Sequence, residues 1–201
     1  PFASLAARLP RALRAAAEAG GKQAALVGEG EDVQLDRALA DALADPLLHL
    51  IRNAADHGVE PPAERMAAGK PATAQLVLSA ERLPGRLRVS LSDDGRGIDE
   101  ALVLARAVER GLVSPDSAQR LAPADIHALL FLPGFSTRAA VSETSGRGVG
   151  LDVVQEAARR AGGVVRVEST RGQGTRFTLD VPLNAAIQPV LLVEAGGHAY
   201  A

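Results

Sequence analysis

Residues 46–58, PLLHLIRNAADHG, gather an unusual set of side chains. On a helix at about 100° per residue, His49, Arg52, Asn53, Asp56 and His57 fall within one arc of about 140°. Leu47, Leu48, Leu50, Ile51, Ala54 and Ala55 take the other side. An ordinary solvated face would carry Glu, Lys and Gln, which are better helix formers than Asn or His. Two imidazoles, an amide, a guanidinium and a carboxylate on one face can hold a ligand; a polar stripe without a ligand is the alternative. Pro46 suits the first turn of such a helix and Gly58 its C-terminal cap.

Three further stretches are rich in glycine. Asp93-Asp94-Gly95-Arg96-Gly97 follows an alternating, strand-like segment. Gly95 and Gly97 permit a tight loop and close backbone approach to a ligand. An Asp at a strand end can accept a hydrogen bond from an exocyclic amine such as that of adenine, although a plain strand-end turn has the same composition. Ser145-Gly146-Arg147-Gly148-Val149-Gly150 opens a helical segment, where backbone N–H groups and the helix dipole favour phosphate. It lacks the Lys-Ser/Thr pair of a P-loop and does not directly follow a strand, as a dinucleotide fingerprint should. Gly172-Gln173-Gly174-Thr175 reads by itself as a hairpin turn.

The elements that must position these groups follow from periodicity. Residues 3–19 read as an amphipathic helix kinked at Pro10, 22–28 as a strand and 33–36 as a very short strand. Asp36 can cap a helix over 37–43. A short helix over 63–68 precedes two strands, 73–82 and 86–92, joined at Pro84-Gly85. Helices follow over 99–110 and 123–132, then a Gly/Ser/Thr-rich stretch over 133–148, a helix over 149–161, and strands over 164–169 and 175–181. Segments 189–193 and 198–201 begin a new β unit, and the chain reads as a piece of something longer. Few connections are plain βαβ crossovers, which argues for a two-layer α/β sandwich with a mixed sheet and helices on one face.

Composition excludes several classes. Among the 201 residues there is no Cys, ruling out disulfides, thiolate metal sites and a Cys nucleophile. A formal net charge of −2 leaves no nucleic-acid footprint. No apolar run reaches membrane-spanning length, and the N-terminus has no signal-peptide pattern, so a cytoplasmic location without membrane insertion is expected. With aromatics at 2% and no Trp, the core must be built from Leu, Val, Ile and Ala.

In order along the chain, a polar helix face with a central Asn, DDGRG after a strand, GRGVG before a helix and GQGT in a hairpin resemble the nucleotide-binding motifs of the GHKL ATPases. HLIRNAADHGVE, SDDGRGID, LLFLPGFST, SGRGVGLDVV and GQGTRFTLDVPL look like the ATP-binding catalytic domain of the CheA chemotaxis histidine kinases. The resemblance covers residues 1–187 and implies the Bergerat fold, with ATP and Mg²⁺ as ligands. Residues 188–201 resemble the first strands of the CheW-like regulatory domain that follows in this family.

Carried over position by position, the resemblance implies Asn53 as Mg²⁺ ligand and His57 as a contact to the terminal phosphates. It has His49 orienting the metal-bound water or the phosphoacceptor, with Arg52 and Asp56 in support beside the nucleotide. Asp93 would bind the adenine amine, with Gly95, Gly97 and Thr175 around the base. Ser145, Gly146, Arg147, Gly148, Val149 and Gly150 would wrap the phosphates, and residues 131–148 would form a mobile ATP lid. The implied reaction is transfer of the ATP γ-phosphoryl group to a histidine on a separate phosphotransfer domain, so none of the four histidines here need be the acceptor. His127 and His198 are expected to be structural and partly exposed. Implied partners are that phosphotransfer domain, a CheW-type adaptor with its chemoreceptors and, indirectly, a response regulator.

One departure bears on affinity. The family often carries a basic residue near the position of Leu102; Arg106, one turn later, is the available substitute, and modest nucleotide affinity is expected. A nucleotide-binding regulatory module without kinase turnover is therefore the competing function. A clamp ATPase of the topoisomerase or MutL type would need a Glu on the Asn helix to activate water, and His49 and Arg52 stand where it would be.

Overall fold

The computed structural model describes residues 1–135 and 150–183, together with the backbone of residues 193–195 and 198–200. The chain opens with α1 (Phe2–Ala6) and α2 (Leu9–Ala19), then β1 (Ala24–Glu29) and α3 (Arg37–Asn53), which runs into a π-helical turn over Ala54–Gly58. Next come α4 (Pro62–Ala67), β2 (Ala74–Leu83), β3 (Arg86–Asp93), α5 (Glu100–Glu109), α6 (Pro115–Ala118) and α7 (Pro123–Ala128), with a 3₁₀ turn over Leu129–Phe131. The fold closes with α8 (Asp152–Arg160), β4 (Val164–Thr170) and β5 (Gly174–Pro182). Separately, β6 (Val193–Ala195) pairs antiparallel with β7 (His198–Tyr200).

Five strands form one mixed sheet in the order β1-β2-β3-β5-β4, with β1 parallel to β2 and the other pairs antiparallel. Period-two alternation gives the sheet two unlike faces. One carries Leu76, Leu78, Leu87, Val89, Leu91, Leu179 and Val181, all buried. Against it lie Leu9 and Leu13 of α2, Leu43, Leu47, Leu50 and Ile51 of α3, and Val154 of α8. On the other face, Asp180 of β5 accepts from Arg88 Nε of β3 (2.8 Å) and Arg166 Nη1 of β4 (2.7 Å), and those hydrogen bonds hold its carboxyl below the usual range. The expected two-layer sandwich is the observed one. A smaller apolar cluster of Val103, Ala107, Ile126 and Phe135 packs α5 against α7.

Several local expectations need correction. Residues 3–19 form two helices instead of one kinked helix, because Pro10 sits in the first turn of α2, where its missing N–H costs nothing. Residues 33–36 are not a strand: the Val33 carbonyl accepts from Phe2 N (2.8 Å) and so secures α1. Pro46 does not begin a helix. It lies inside the 17-residue α3, which starts at the Asp36 cap, where Oδ1 accepts from Leu39 N at 2.7 Å. An internal proline costs about 3 kcal/mol, and here it is offset by burial of Leu43, Leu47 and Pro46 itself on the core side. The helix expected over 123–132 tightens to a 3₁₀ turn after Ala128, and the one expected over 149–161 begins at Asp152. Helix α6, capped by Ser114 Oγ on Ser117 N (3.2 Å), escaped the periodicity because it is only four residues long.

Candidate functional site

Helix α3 delivers Asn53, half-buried, at its last turn, with exposed Arg52 beside it. Beyond Asn53 the chain widens into the π turn, closed by Val59 N to the Ala54 carbonyl at 2.8 Å. The extra residue turns exposed Asp56 and His57 away from the positions a continued α-helix would give them. The 140° arc is therefore correct for His49, Arg52 and Asn53 and displaced for the last two; short π segments of this kind recur at functional sites. Lys22 Nζ donates to the carbonyls of Ala55 (2.7 Å) and Asp56 (2.8 Å).

His49 lies one turn earlier, half-buried, and its Nε2 has no hydrogen-bond partner among the described residues. Burial lowers its pKa; nearby Asp152 of α8 opposes this and Arg52 adds to it, with the lowering prevailing. The ring is thus a neutral imidazole around pH 7, able to donate or accept. Asp152 also accepts from Gly134 N at 3.4 Å.

Asp93 ends β3, where three backbone segments converge. Its Oδ1 accepts from Gly95 N at 2.9 Å. A Cβ on Gly58, at the end of the π turn, would come 3.2 Å from that oxygen. On Gly95 it would strike the Gly58 carbonyl at 2.2 Å, and on Gly174, at φ 115°, the Asp93 carbonyl at 1.9 Å. Only glycine permits this approach. Burial pushes the Asp93 carboxyl up to about 6, against hydrogen bonds from the backbone of Gly95 and Thr175. Such a carboxylate, ionised at neutral pH, is a strong acceptor for an N–H donor entering from the open side.

The loop after Asp93 docks on both neighbours. Arg96 N donates to the Gly58 carbonyl (2.8 Å) and Gly172 N to the Arg96 carbonyl (2.7 Å). Gly97, at φ 71°, could carry no Cβ without meeting the Thr170 carbonyl at 2.4 Å. Ser169 accepts from Ile98 N (2.8 Å) and donates to the Gly174 carbonyl (2.9 Å). With its one hydroxyl proton spent there, the 3.1 Å contact to Thr175 Oγ1 has Thr175 donating. The buried Thr175 hydroxyl thereby presents lone pairs to a ligand.

Asp94 plays a different part from its neighbour. Its Oδ2 takes Arg65 Nη2 at 2.8 Å, and its Oδ1 takes Gln75 N at 3.1 Å. Arg65, fully buried, also holds Glu60 Oε2 (3.0 Å) and the Pro71 carbonyl (2.7 Å). Lys70 bridges Glu60 Oε1 (2.9 Å) and the carbonyls of Asp94 (2.9 Å) and Gly95 (2.7 Å). Burial alone would raise the Glu60 pKa, but Lys70 and Arg65 bring it below the ordinary value. This network, Lys22 and Ser169 were not anticipated from the sequence. No sequence signal marked the network: the charges Glu60, Glu64, Arg65 and Lys70 around a short helix read as an ordinary solvated face.

The structure therefore brings Asp93, Gly95, Gly97 and Thr175 to one region, and Gly58, at the end of the π turn that follows Asn53, joins the helix end to the Asp93 loop. Gly150 lies just before α8, where a Cβ would come 3.2 Å from the Phe135 carbonyl. Ser145, Gly146, Arg147, Gly148 and Val149 lie outside the described residues, as do residues 136–148 of the expected lid. Leu102 is 44% exposed on α5, and Arg106 pairs with Glu109 at 2.6 Å. His127 is not partly exposed: it is buried, with Nε2 3.1 Å from Glu100 Oε1, because α7 packs that face against α5. Among the described residues no group of three or more His, Cys, Asp or Glu could hold a metal ion alone. A hard cation near Asn53 would thus need oxygens supplied by a ligand, which fits a metal carried on phosphates.

Residues 40–185 match the family described as histidine kinase-, DNA gyrase B- and HSP90-like ATPase. The chemotaxis protein CheA of Halobacterium salinarum is 42% identical over 200 residues, covering 100% of this chain and 30% of that protein. CheA of Cereibacter sphaeroides is 44% identical over 191 residues (95% and 28%). The sensor histidine kinase CheAY of Helicobacter pylori is 38% identical over 201 residues (100% and 25%). The chain thus spans under a third of the length of these curated relatives. Among solved structures, full-length ShkA in complex with AMPPNP superposes with TM-score 0.55 at 22% identity, over 94% of this chain and 32% of that one. The histidine kinase domain of an Erythrobacter litoralis blue-light activated kinase gives 0.54 at 18%, over 93% and 63%. These two likenesses concern the fold.

Proposed function

The chain belongs to the histidine kinase-, DNA gyrase B- and HSP90-like ATPase family and matches the catalytic domain of CheA proteins, and from that premise we propose that it binds ATP and transfers the γ-phosphoryl group to a histidine on a separate phosphotransfer domain. The observation that carries the proposal is the Asp93 cradle: an acceptor carboxylate enclosed by Gly58, Gly95 and Gly174, where a Cβ would leave no room. In this reading Asp93 accepts the adenine amine, and Gly97 and Thr175 flank the base. Asn53 offers a neutral amide oxygen to Mg²⁺, which when bound would neutralise charge on the phosphates. His57 and Asp56 stand next to the phosphates on the π turn. Neutral His49, whose buried Nε2 has no partner among the described residues, stands one turn before Asn53, where it would orient the metal-bound water or the phosphoacceptor. Gly146, Gly148 and Gly150 would supply backbone donors to the phosphates.

The wider setting is part of the same proposal. It includes a cytoplasmic location, an upstream phosphotransfer domain, a response regulator beyond it, and a CheW-type adaptor with its receptors engaging the segment from residue 188, where β6 and β7 pair. Among the described residues no helix is long and apolar enough to cross a membrane. A module that binds nucleotide without turnover is favoured by one observation: Leu102 stands exposed where a cation is expected, and Arg106 is engaged with Glu109.

Calorimetric titration with an ATP analogue, with and without Mg²⁺, on wild type and Asp93→Asn tests the site. Micromolar binding lost in the variant is expected; equal binding by both would refute the assignment. Phosphotransfer to a cognate acceptor domain then separates the kinase from the module.

A further inference from the structure

Lys22 lies outside every motif in the sequence but is tied to the central turn of the site. Its backbone is fixed by the end of α2: Gly20 N and Lys22 N both bond the Ala17 carbonyl (3.0 and 2.8 Å), and Gly21 takes φ 64°. From there Nζ reaches the carbonyls of Ala55 (2.7 Å) and Asp56 (2.8 Å). Both carbonyls lie within the turn that Val59 N closes on the Ala54 carbonyl, and the chain departs extended at Val59 (φ −70°, ψ 132°). The last carbonyls of a helix have no intrahelical partner and carry the negative end of its dipole, so an ammonium ion suits them.

We propose that Lys22 is a positioning residue for the phosphate side of the site. By holding these two carbonyls it fixes the change from α to π winding, and so the direction in which His57 projects from the helix that carries Asn53. The wider winding of a π turn displaces the side chains it carries from the positions a continued α-helix would give them. Rewinding or fraying would change where His57 stands relative to Asn53. In this role Lys22 acts through the backbone carbonyls of Ala55 and Asp56. Asp93 does not depend on it in the same way, being held by Gly95 N and by its place in the β3–β5 ladder. The inference rests on the function proposed above.

The test compares two ligands on the 201-residue chain: a non-hydrolysable ATP analogue with Mg²⁺, and adenosine. In Lys22→Met the affinity for the analogue should fall about tenfold, the scale seen when a group orienting a ligating residue is removed. Adenosine affinity should stay within about twofold. Lys22→Arg, whose guanidinium can donate to both carbonyls, should recover most of the loss. Hydrogen exchange at Val59 N–H should accelerate about tenfold in Lys22→Met while that of Leu91 and Leu179 is unchanged. Equal loss of both ligands, or unchanged affinity with unchanged Val59 exchange, would overturn the inference. So would failure of both Lys22→Met and Lys22→Gln to fold, which would make the residue purely structural. If the wild type binds neither ligand, the proposed function fails, and the Val59 exchange still decides whether Lys22 holds the turn.

Discussion

Around Asp93 the site is made of backbone and buried charge, whereas around Asn53 it is made of side chains standing on a turn. On the first side, glycine contacts leave no space to rearrange, and Arg65, Lys70, Glu60 and Asp94 bind the loop from behind. On the second, Asn53 is half-buried, Asp56 and His57 are exposed, and the turn that carries them ends on a lysine ammonium. On the proposed reading, the first side meets the base with its shape already set by the fold, and the second meets the phosphates through exposed side chains. Substitutions on the first side should therefore cost stability, and those on the second should cost binding.

The largest effect is expected at Arg65. Replacing this fully buried cation by Met leaves Asp94 without its side-chain cation and Glu60 with Lys70 alone, and breaking a buried pair in this way costs about 3–5 kcal/mol. Urea denaturation would measure it; a loss below about 1 kcal/mol would mean that the network is not what fixes the base side. Gly174→Ala comes next. The residue sits at φ 115° with the Asp93 carbonyl where the new methyl would go. About 1–3 kcal/mol of strain is expected, together with loss of adenosine binding. Full adenosine affinity in a folded Gly174→Ala chain would show that the cradle is looser than its geometry.

A pH titration sharpens the same contrast. The Asp93 carboxyl ionises near 6 in the fold, because of burial, and near 3.8 when unfolded. The folded state therefore holds the proton more tightly, and this group contributes stability below about pH 4 that is lost as the pH rises to about 6, some 2–3 kcal/mol in all. Glu60 and Asp180, with lowered pKa values, act in the opposite sense, losing their contribution as pH falls through the acid range. Asp93→Asn should remove the first component, so its stability relative to wild type should increase between pH 4 and 6. Parallel profiles for the two proteins would contradict the burial of Asp93. Adenosine binding should strengthen over the same window as the acceptor ionises.

The base side was also the more legible in sequence, for a physical reason. Positions that tolerate only glycine leave a spacing, DDGRG and GQGT, that survives as text, and the strands that carry them alternate cleanly. The helix face was legible through His49, Arg52 and Asn53, but the displacement of Asp56 and His57 was not, since the π turn shows in the bond from Val59 N to the Ala54 carbonyl and not in residue type. Pro46 misled because proline is a local signal, while the burial of Leu43 and Leu47 on either side of it is a tertiary one. The Arg65 network was invisible for the same cause: its partners lie before α4, in the turn after it and in the loop after β3.

Asn53→Ala is expected to have the smallest effect on stability and so tests the contrast from the other end. The side chain is half-buried at the end of α3, and none of the hydrogen bonds that close the base side runs through it. Surface substitutions away from networks stay within about 0.5 kcal/mol, and Ala is the better helix former. The urea midpoint should hardly move, and adenosine affinity should be unchanged. The Mg²⁺-dependent part of the affinity for an ATP analogue should fall at least tenfold, because an amide oxygen that completes a metal's shell has no substitute nearby. A variant that lost stability but kept its Mg²⁺ dependence would reverse the division: the helix end would then be scaffold, and the metal would have to be held from the residues beyond Phe135.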